Sequence, residues 1–239
     1  MNAVVIEQSD FATDNLVRLT GRRFVHLQKV LKLGVGDQCR VSVCNLRSGF
    51  GVVTELGSDY LLLQLDLTHE LPPPLPLTLI CALQRPKTMR KMLYTAVSCG
   101  VKDIHVIESW KVEKGYWNSP LLNEGELAEL VNLALEQSGE AGIPQITFHR
   151  RFKAFAEDEL PRLIAGKVAL VGEPKATQPC PINLHESVCL ILGPEGGFTD
   201  YEVNLLAAQG VTPISLGRRI LRSEVALAAL IGRIFAELI

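Results

Sequence analysis

Two glycine-bearing loops near the carboxyl end carry the residues best suited to chemistry. Gly193-Pro194-Glu195-Gly196-Gly197-Phe198 follows the apolar run Ser187-Val188-Cys189-Leu190-Ile191-Leu192 and leads into Thr199-Asp200-Tyr201-Glu202. A buried strand, a loop and a capping box in that order predict backbone N–H groups gathered at a helix N-terminus, where they can face a ligand. Glycine lets the main chain approach that ligand closely; the alternative is a tight turn that holds nothing. The loop is neither a Walker A sequence nor Gly-x-Gly-x-x-Gly, which removes support for nucleoside triphosphate and dinucleotide binding. The second loop, Gly217 to Arg222, follows the run Val211 to Leu216 and sets Arg218, Arg219 and Arg222 beside glycine. Ligands of open α/β sheets bind outside the carboxyl ends of strands, so two such loops after consecutive strands predict one pocket. Arginines on its rim suit phosphate or a polyanion, although a solvated basic face would also account for Arg218 and Arg219.

The elements that position these loops follow from periodicity. Leu77 to Leu83 reads as a buried strand, followed by a helix whose stripe is Met89, Met92, Leu93, Ala96 and Val97 and which stops at Gly100. Ile104 to Ile107 is the next strand, Gly125 to Gln137 a helix, and Lys167 to Val171 another strand. Thr199 opens a helix that ends at Gly210, and Ser223 is expected to cap the last helix, Val225 to Leu238. This alternation predicts an α/β domain with a mainly parallel sheet covered on both faces. The first seventy residues differ. Gln38 to Val43, Gly49 to Thr54 and Asp59 to Leu65 alternate around glycine-marked turns and predict a small β-barrel, interrupted by one short helix over His26 to Leu33. The proline segment Leu71 to Pro76 reads as a stiff separator, placing a front domain at 1–71 and the α/β domain at 72–239.

The chain has 239 residues, 47% hydrophobic and 21% charged, as expected of a globular protein, and no apolar run reaches the about 20 residues that cross a bilayer. Met1 to Glu7 carries no basic and apolar leader pattern, so a cytoplasmic location is expected. The six cysteines lie in or near apolar runs without a Cys-x-x-Cys pair and read as buried thiols. No metal-ligand spacing links His69, His105, His149 and His185, and no metal is expected. A net charge of −2 means that any nucleic-acid contact must come from local basic patches.

Leu190 to Thr199 together with Ser215 to Ala226 closely resembles the paired signatures of the ribosomal small subunit methyltransferase E family, SPOUT enzymes that methylate N3 of a uridine in 16S ribosomal RNA. Gln84-Arg85-Pro86-Lys87, Gly100-Val101 and Glu136-Gln137-Ser138-Gly139 resemble the same family's catalytic domain, and Phe24 to Val43 its PUA-like front domain. The resemblance implies a SPOUT-type C-terminal trefoil knot, a PUA-like β-barrel in front, S-adenosylmethionine as cofactor, 16S ribosomal RNA within the small subunit as partner, and a homodimer. Periodicity does not disclose the knot, a threading that chains generally avoid. Where typical members carry threonine this chain has Ser223, which retains the hydroxyl. Implied cofactor contacts are the main chain and apolar walls of Val171, Gly172, Leu192, Gly193, Pro194, Gly197, Leu216, Gly217, Ile220, Leu221 and Ala226.

Methyl transfer from a sulfonium to N3 of uracil calls for in-line positioning and a stabilised anion rather than covalent help. Arg222 is the first candidate for stabilising that charge, and Glu195 or Glu224 for accepting the proton or holding an arginine. RNA contacts are expected from Arg22, Arg23, His26, Lys29 and Lys32 in front, from Arg85, Lys87, Arg90 and Lys91 after the linker, and from Arg218 and Arg219. Two other readings stay open: a SPOUT enzyme for another RNA position, and a non-catalytic RNA-binding module. A phosphate-binding hydrolase would need a nucleophile and base in recognisable spacing, which is missing.

Overall fold

The structure is a computed structural model that describes residues 3–237, so Met1 and Asn2 of the amino-terminal reading and Leu238 of the last helix lie outside the described residues. The chain forms two compact units, Met1–Pro73 with Asn132–Ile143, and Pro74–Val131 with Pro144–Ile239.

The first unit contains β1 (Val4–Ile6), β2 (Phe11–Thr13), β3 (Leu16–Thr20), helix α1 (Gly21–Val25), β4 (Gln38–Val43), β5 (Arg47–Leu56) and β6 (Tyr60–Glu70). Its six-stranded sheet runs β1-β4-β5-β6-β3-β2, with β1 parallel to β4 and the other pairs antiparallel. Period-two alternation builds the core: Leu61, Leu63 and Leu65 of β6 are buried between exposed or half-buried neighbours, and they pack with Ile6, Val17, Leu19 and Val41. The helix begins earlier than the expected His26, because α1 runs directly into a π-helical turn at His26–Val30; Phe24 and Leu27 hold it on the sheet. Strands β1 to β3 were not expected, being only three to five residues long.

The boundary also differs from the expected 71/72 division, since residues 132–143 belong to the first unit. Long-range polar bonds explain this. Glu136, 2% exposed, takes both terminal nitrogens of Arg22 at 2.8 Å, and its carbonyl accepts from Ala3 N at 3.1 Å. Ser42 Oγ donates to Gly139 O at 3.1 Å and Asn45 N to Ala141 O at 2.9 Å.

The second unit continues with β7 (Leu77–Ala82), α2 (Pro86–Ser98), β8 (Asp103–Ile107), the first half of α3 (Glu124–Ser138), whose residues from Asn132 on belong to the first unit, β9 (Gln145–His149), α4 (Phe152–Ala154), α5 (Leu160–Ile164), β10 (Val168–Gly172), β11 (Val188–Leu192), α6 (Asp200–Ala208), β12 (Thr212–Ile214) and α7 (Ser223–Ile234). All strands are parallel, in the order β12-β10-β11-β7-β8-β9. Every residue of the central β7 and β11 is buried, as strands covered on both faces require. In α2, Pro86 occupies the first turn and the expected stripe Met89, Met92, Leu93, Ala96 and Val97 is the buried one. Thr199 caps α6 through the expected box with Glu202. The connection from β10 to β11 bonds both to the end of β12, by Cys180 N to Ser215 O at 2.9 Å, and to the end of α7, by Leu184 N to Ile234 O at 2.7 Å. Among the described residues no helix is long and apolar enough to cross a membrane.

Candidate functional site

The strand order decides where the two glycine loops meet. Because β10 lies between β11 and β12, the turns leaving their carboxyl ends are neighbours, and they enclose one cavity of about 530 Å³. Gly172 to Pro174 line it at the end of β10, Leu192 to Glu195 and Gly197 at the end of β11, and Ile214 to Gly217 and Arg219 to Glu224 at and after the end of β12; Arg85 just before α2, Thr88 in it, and Ala226 and Leu230 of α7 complete the wall. Gly197 and Gly217 have φ of 67° and 116°, conformations that side-chain-bearing residues rarely adopt, so both turns expose main chain to the cavity for a backbone reason.

Ten of the eleven residues expected to hold the cofactor line this space. Val171 does not: it is wholly buried inside β10, one residue short of the strand end. Ile220 and Leu221 are 84% and 38% exposed, an apolar edge open to solvent at the mouth.

A buried amide ties the two loops together. Gln84, 0% exposed, donates from Nε2 to Gly193 O at 3.3 Å and accepts from Ser223 Oγ at 2.7 Å. This corrects the expected role of Ser223. Arg222 occupies the cap position of α7 with φ −65° and ψ 149° and no side-chain cap bond, while the Ser223 hydroxyl points to glutamine instead. Sequence reasoning noted Gln84 but gave it no role; its only local signal is a polar residue ending an apolar strand.

The three candidate catalytic groups all border the cavity in different environments. The Arg222 guanidinium is exposed and makes no hydrogen bond or ion pair among the described residues. Glu195 accepts from the Arg85 backbone N–H at 3.1 Å. Glu224 lies 3.6 Å from Lys91 Nζ with its side chain 11% exposed, and its Oε2 is buried with no hydrogen-bond partner. At the rim, Arg85 donates from Nε to the Tyr116 hydroxyl at 3.2 Å, and this bond, with the charges of Glu195 and Glu113, pushes its pKa up and keeps it cationic. Burial pushes the thiols of Cys81 and Cys189 in the central strands up to about 12, so neither supplies a thiolate. No group of histidine, cysteine and acidic residues that could hold a metal occurs among the described residues.

The basic candidates divide. Arg23 forms a bidentate pair with Asp10 at 2.5 and 2.6 Å and donates to Val5 O, and Arg22, its side chain 42% exposed, pairs with Glu136, so both guanidinium groups are engaged inside the first unit. His26 is half-buried, and its Nε2 is buried without a hydrogen-bond partner. Arg90 pairs with Glu126 at 2.9 Å and Lys91 with Glu224. Lys29, Lys32, Lys87, Arg218 and Arg219 are exposed, and of these only Arg219 lines the cavity.

A cavity walled by main chain and apolar side chains, with a free cation and an unbonded carboxylate oxygen but no nucleophile and base pair, suits group transfer between two bound molecules. The comparisons agree with that chemistry. Residues 71–235 match the RNA methyltransferase domain. The ribosomal RNA small subunit methyltransferase E of Synechocystis is 30% identical, over 93% of this chain and 73% of its own. The chain belongs to that family. Its Treponema pallidum member is 28% identical across 99% of this chain and 91% of its own. The Neisseria gonorrhoeae member, solved bound to S-adenosyl methionine, superposes with a TM-score of 0.72 at 20% identity, covering 96% and 95% of the two chains. A Legionella pneumophila methyltransferase solved with its bound cofactor SAM also scores 0.72, at 22% identity and 96% coverage of each chain. Family membership makes the α/β unit an RNA methyltransferase domain, and Gln84 the residue that joins its two signature loops.

Proposed function

We propose that this chain transfers a methyl group from S-adenosylmethionine to N3 of a uridine in 16S ribosomal RNA of the small subunit. The observation that carries the reading is the single cavity shared by the turns at Pro194 and Ile220. Its volume, exposed main chain and apolar wall suit an adenosine-sized ligand, held by Gly172, Leu192, Gly193, Pro194, Gly197, Leu216, Gly217, Ile220, Leu221 and Ala226. Bound there, S-adenosylmethionine supplies an electrophilic methyl group on a sulfonium.

The remaining tasks belong to the protein. N3 must lose its proton, and Glu224 is the acceptor, because its Oε2 is buried and unbonded whereas Glu195 already receives the Arg85 N–H and holds that turn in place. Arg222, unengaged, balances the charge that develops on the flanking carbonyl oxygens. With the donor bound, the methyl group would pass from its sulfur, which would be left as a thioether, to the N3 lone pair, and Glu224 would hold the released proton. Lys91 at 3.6 Å fixes the carboxylate.

The same reading gives the first unit an RNA-docking role as a PUA-like domain, with Lys29 and Lys32 among its exposed cations, and adds Arg85, Lys87, Arg218 and Arg219 as phosphate contacts near the cavity. The C-terminal segment is proposed to thread a trefoil knot, supported by the β10–β11 connection bonding both to Ser215 and to Ile234. Exposed Val225, Ala228, Ala229 and Gly232 on one face of α7 support a homodimer. The working location is the cytoplasm. The test is incubation with labelled S-adenosylmethionine and unmodified small-subunit particles, then mapping of reverse-transcription stops, since N3 methylation blocks the pairing edge. One strong stop at a uridine is expected; label without a stop, or no label, would overturn the assignment.

A further inference from the structure

Residues 108–118 follow β8 and carry Trp110, at 84% exposure the most exposed aromatic side chain among the described residues. A flexible loop would let such a ring fold back onto apolar surface. Here the backbone is fastened. Trp110 N–H donates to Glu202 Oε1 at 2.7 Å, and Glu202 is 3% exposed, with its other oxygen receiving Thr199 N–H at 2.8 Å in the α6 capping box. Lys111 Nζ donates to Gly196 O at 2.8 Å, so close that a Cβ on Gly196 would lie 3.1 Å from the lysine Cδ. Tyr116 of the same segment receives Arg85 Nε, and Arg85 lines the cavity. Three bonds thus attach the segment to the cavity rim and to the helix behind it while the indole stays in water.

We propose that Trp110 is a stacking platform for an unpaired base adjacent to the nucleotide that enters the cavity, with the rim cation Arg85 taking the phosphate between the two. This rests on the RNA methyltransferase reading. N3 lies on the pairing edge of uracil, so the target must leave any duplex before it can react, and its departure deprives a neighbouring base of one stacking partner. An exposed indole carried on a fastened backbone next to Lys111 replaces that partner without reading sequence. A protein partner would call for a continuous apolar patch, whereas Trp110 is flanked by exposed Lys111 and buried Ser109.

The test compares Trp110→Ala and Trp110→Phe in the full chain. For Trp110→Ala, S-adenosylmethionine affinity is expected to be unchanged, while KM for small-subunit particles rises about 5- to 150-fold, the range expected for losing one base stack. Trp110→Phe should recover most of the loss. In a Trp117→Phe background, a short single-stranded RNA containing uridine should quench the remaining indole fluorescence. An unchanged KM, equal loss in both variants, or a shift in oligomeric state on size exclusion, which would place the ring against a second copy, overturns the platform. If the wild-type chain transfers no methyl group, the reading of the cavity fails separately, and the quenching and RNA affinity of Trp110→Ala then decide the platform alone.

Discussion

Replacing Gln84 with methionine keeps the side-chain length but removes both polar atoms that join the signature loops. Nε2 bonds Gly193 O at 3.3 Å and Oε1 accepts from Ser223 Oγ at 2.7 Å, and the amide is wholly buried. Each bond contributes about 0.5–1.5 kcal/mol net, and a stranded partner adds about 1–3 kcal/mol where water cannot reach it. Ser223 can turn its hydroxyl to solvent and Gly193 lines the cavity, so the lower ends apply and a total of about 2–3 kcal/mol is expected. Much of it should appear as looser loops. Calorimetric titration should therefore show S-adenosylmethionine binding weakened by about 10- to 100-fold, each factor of ten corresponding to about 1.4 kcal/mol. The double variant with Ser223→Ala should bind no more weakly than Gln84→Met alone by more than about threefold, because both changes remove one hydrogen bond. Affinity within twofold of wild type, in a protein whose thermal midpoint is also unchanged, would refute the idea that this amide sets the cavity.

Four further outcomes follow from single groups. Arg222→Ala should abolish methyl transfer while leaving cofactor affinity within about threefold, with Arg222→Lys partly active; normal turnover removes it from the mechanism. Glu224→Gln should lower kcat by about 10²- to 10⁴-fold, a larger loss than that of Glu195→Gln, measured in single-turnover methyl transfer. Arg23→Ala strands Asp10, whose side chain is 8% exposed, and should destabilise the first unit by about 3–5 kcal/mol in denaturant titration, against less than about 0.5 kcal/mol for Arg47→Ala at the exposed Arg47–Glu70 pair. His105 and His149 bond each other at 2.9 Å, with Asp103, Lys167 and Glu159 around them, and burial lowers both below the ordinary 6.5. The folded protein therefore resists their protonation. The stability they contribute is complete above pH 6.5 and is lost as pH falls below it, so thermal midpoints should drop from pH 6.5 to 5 and His105→Gln should flatten that slope.

Elements whose pattern is local were legible in the sequence. The buried β7 and β11, the i, i+3, i+4, i+7, i+8 stripe of α2 and the Thr199–Glu202 box each announce themselves within a few residues, and the structure places them where periodicity did. What escaped depends on partners far away in the chain. Arg22 and Glu136 are separated by 114 positions, so neither the pairing of that arginine nor the membership of residues 132–143 in the first unit leaves a local trace. Short β1 gains its place only by pairing with β4, and Ser223 looked like a cap because the glutamine that takes its hydroxyl lies 139 positions earlier. A basic residue in a sequence shows charge, but not whether that charge is already answered inside the fold, as it is for Arg23 by Asp10.

The site itself was readable because each signature loop is paired with its own strand, while its meaning came from topology. Had β12 added beside β9, at the other edge of the sheet, the turn at Ile220 would leave the sheet four strand positions from the turn at Pro194, about 19 Å at the usual spacing of about 4.8 Å, and the same residues would form no pocket. With β10 between β11 and β12, the two turns are two strands apart, close to 10 Å at that spacing, which is the span of a nucleoside. Gln84 then needs only one side chain to reach both. Its position at the end of β7, on the far side of β11, lets it meet Gly193 directly, and the chain returning into α7 brings Ser223 to the other end of the same amide. The cavity is thus a consequence of strand order first and of loop sequence second, and the buried amide is the point at which the two requirements meet.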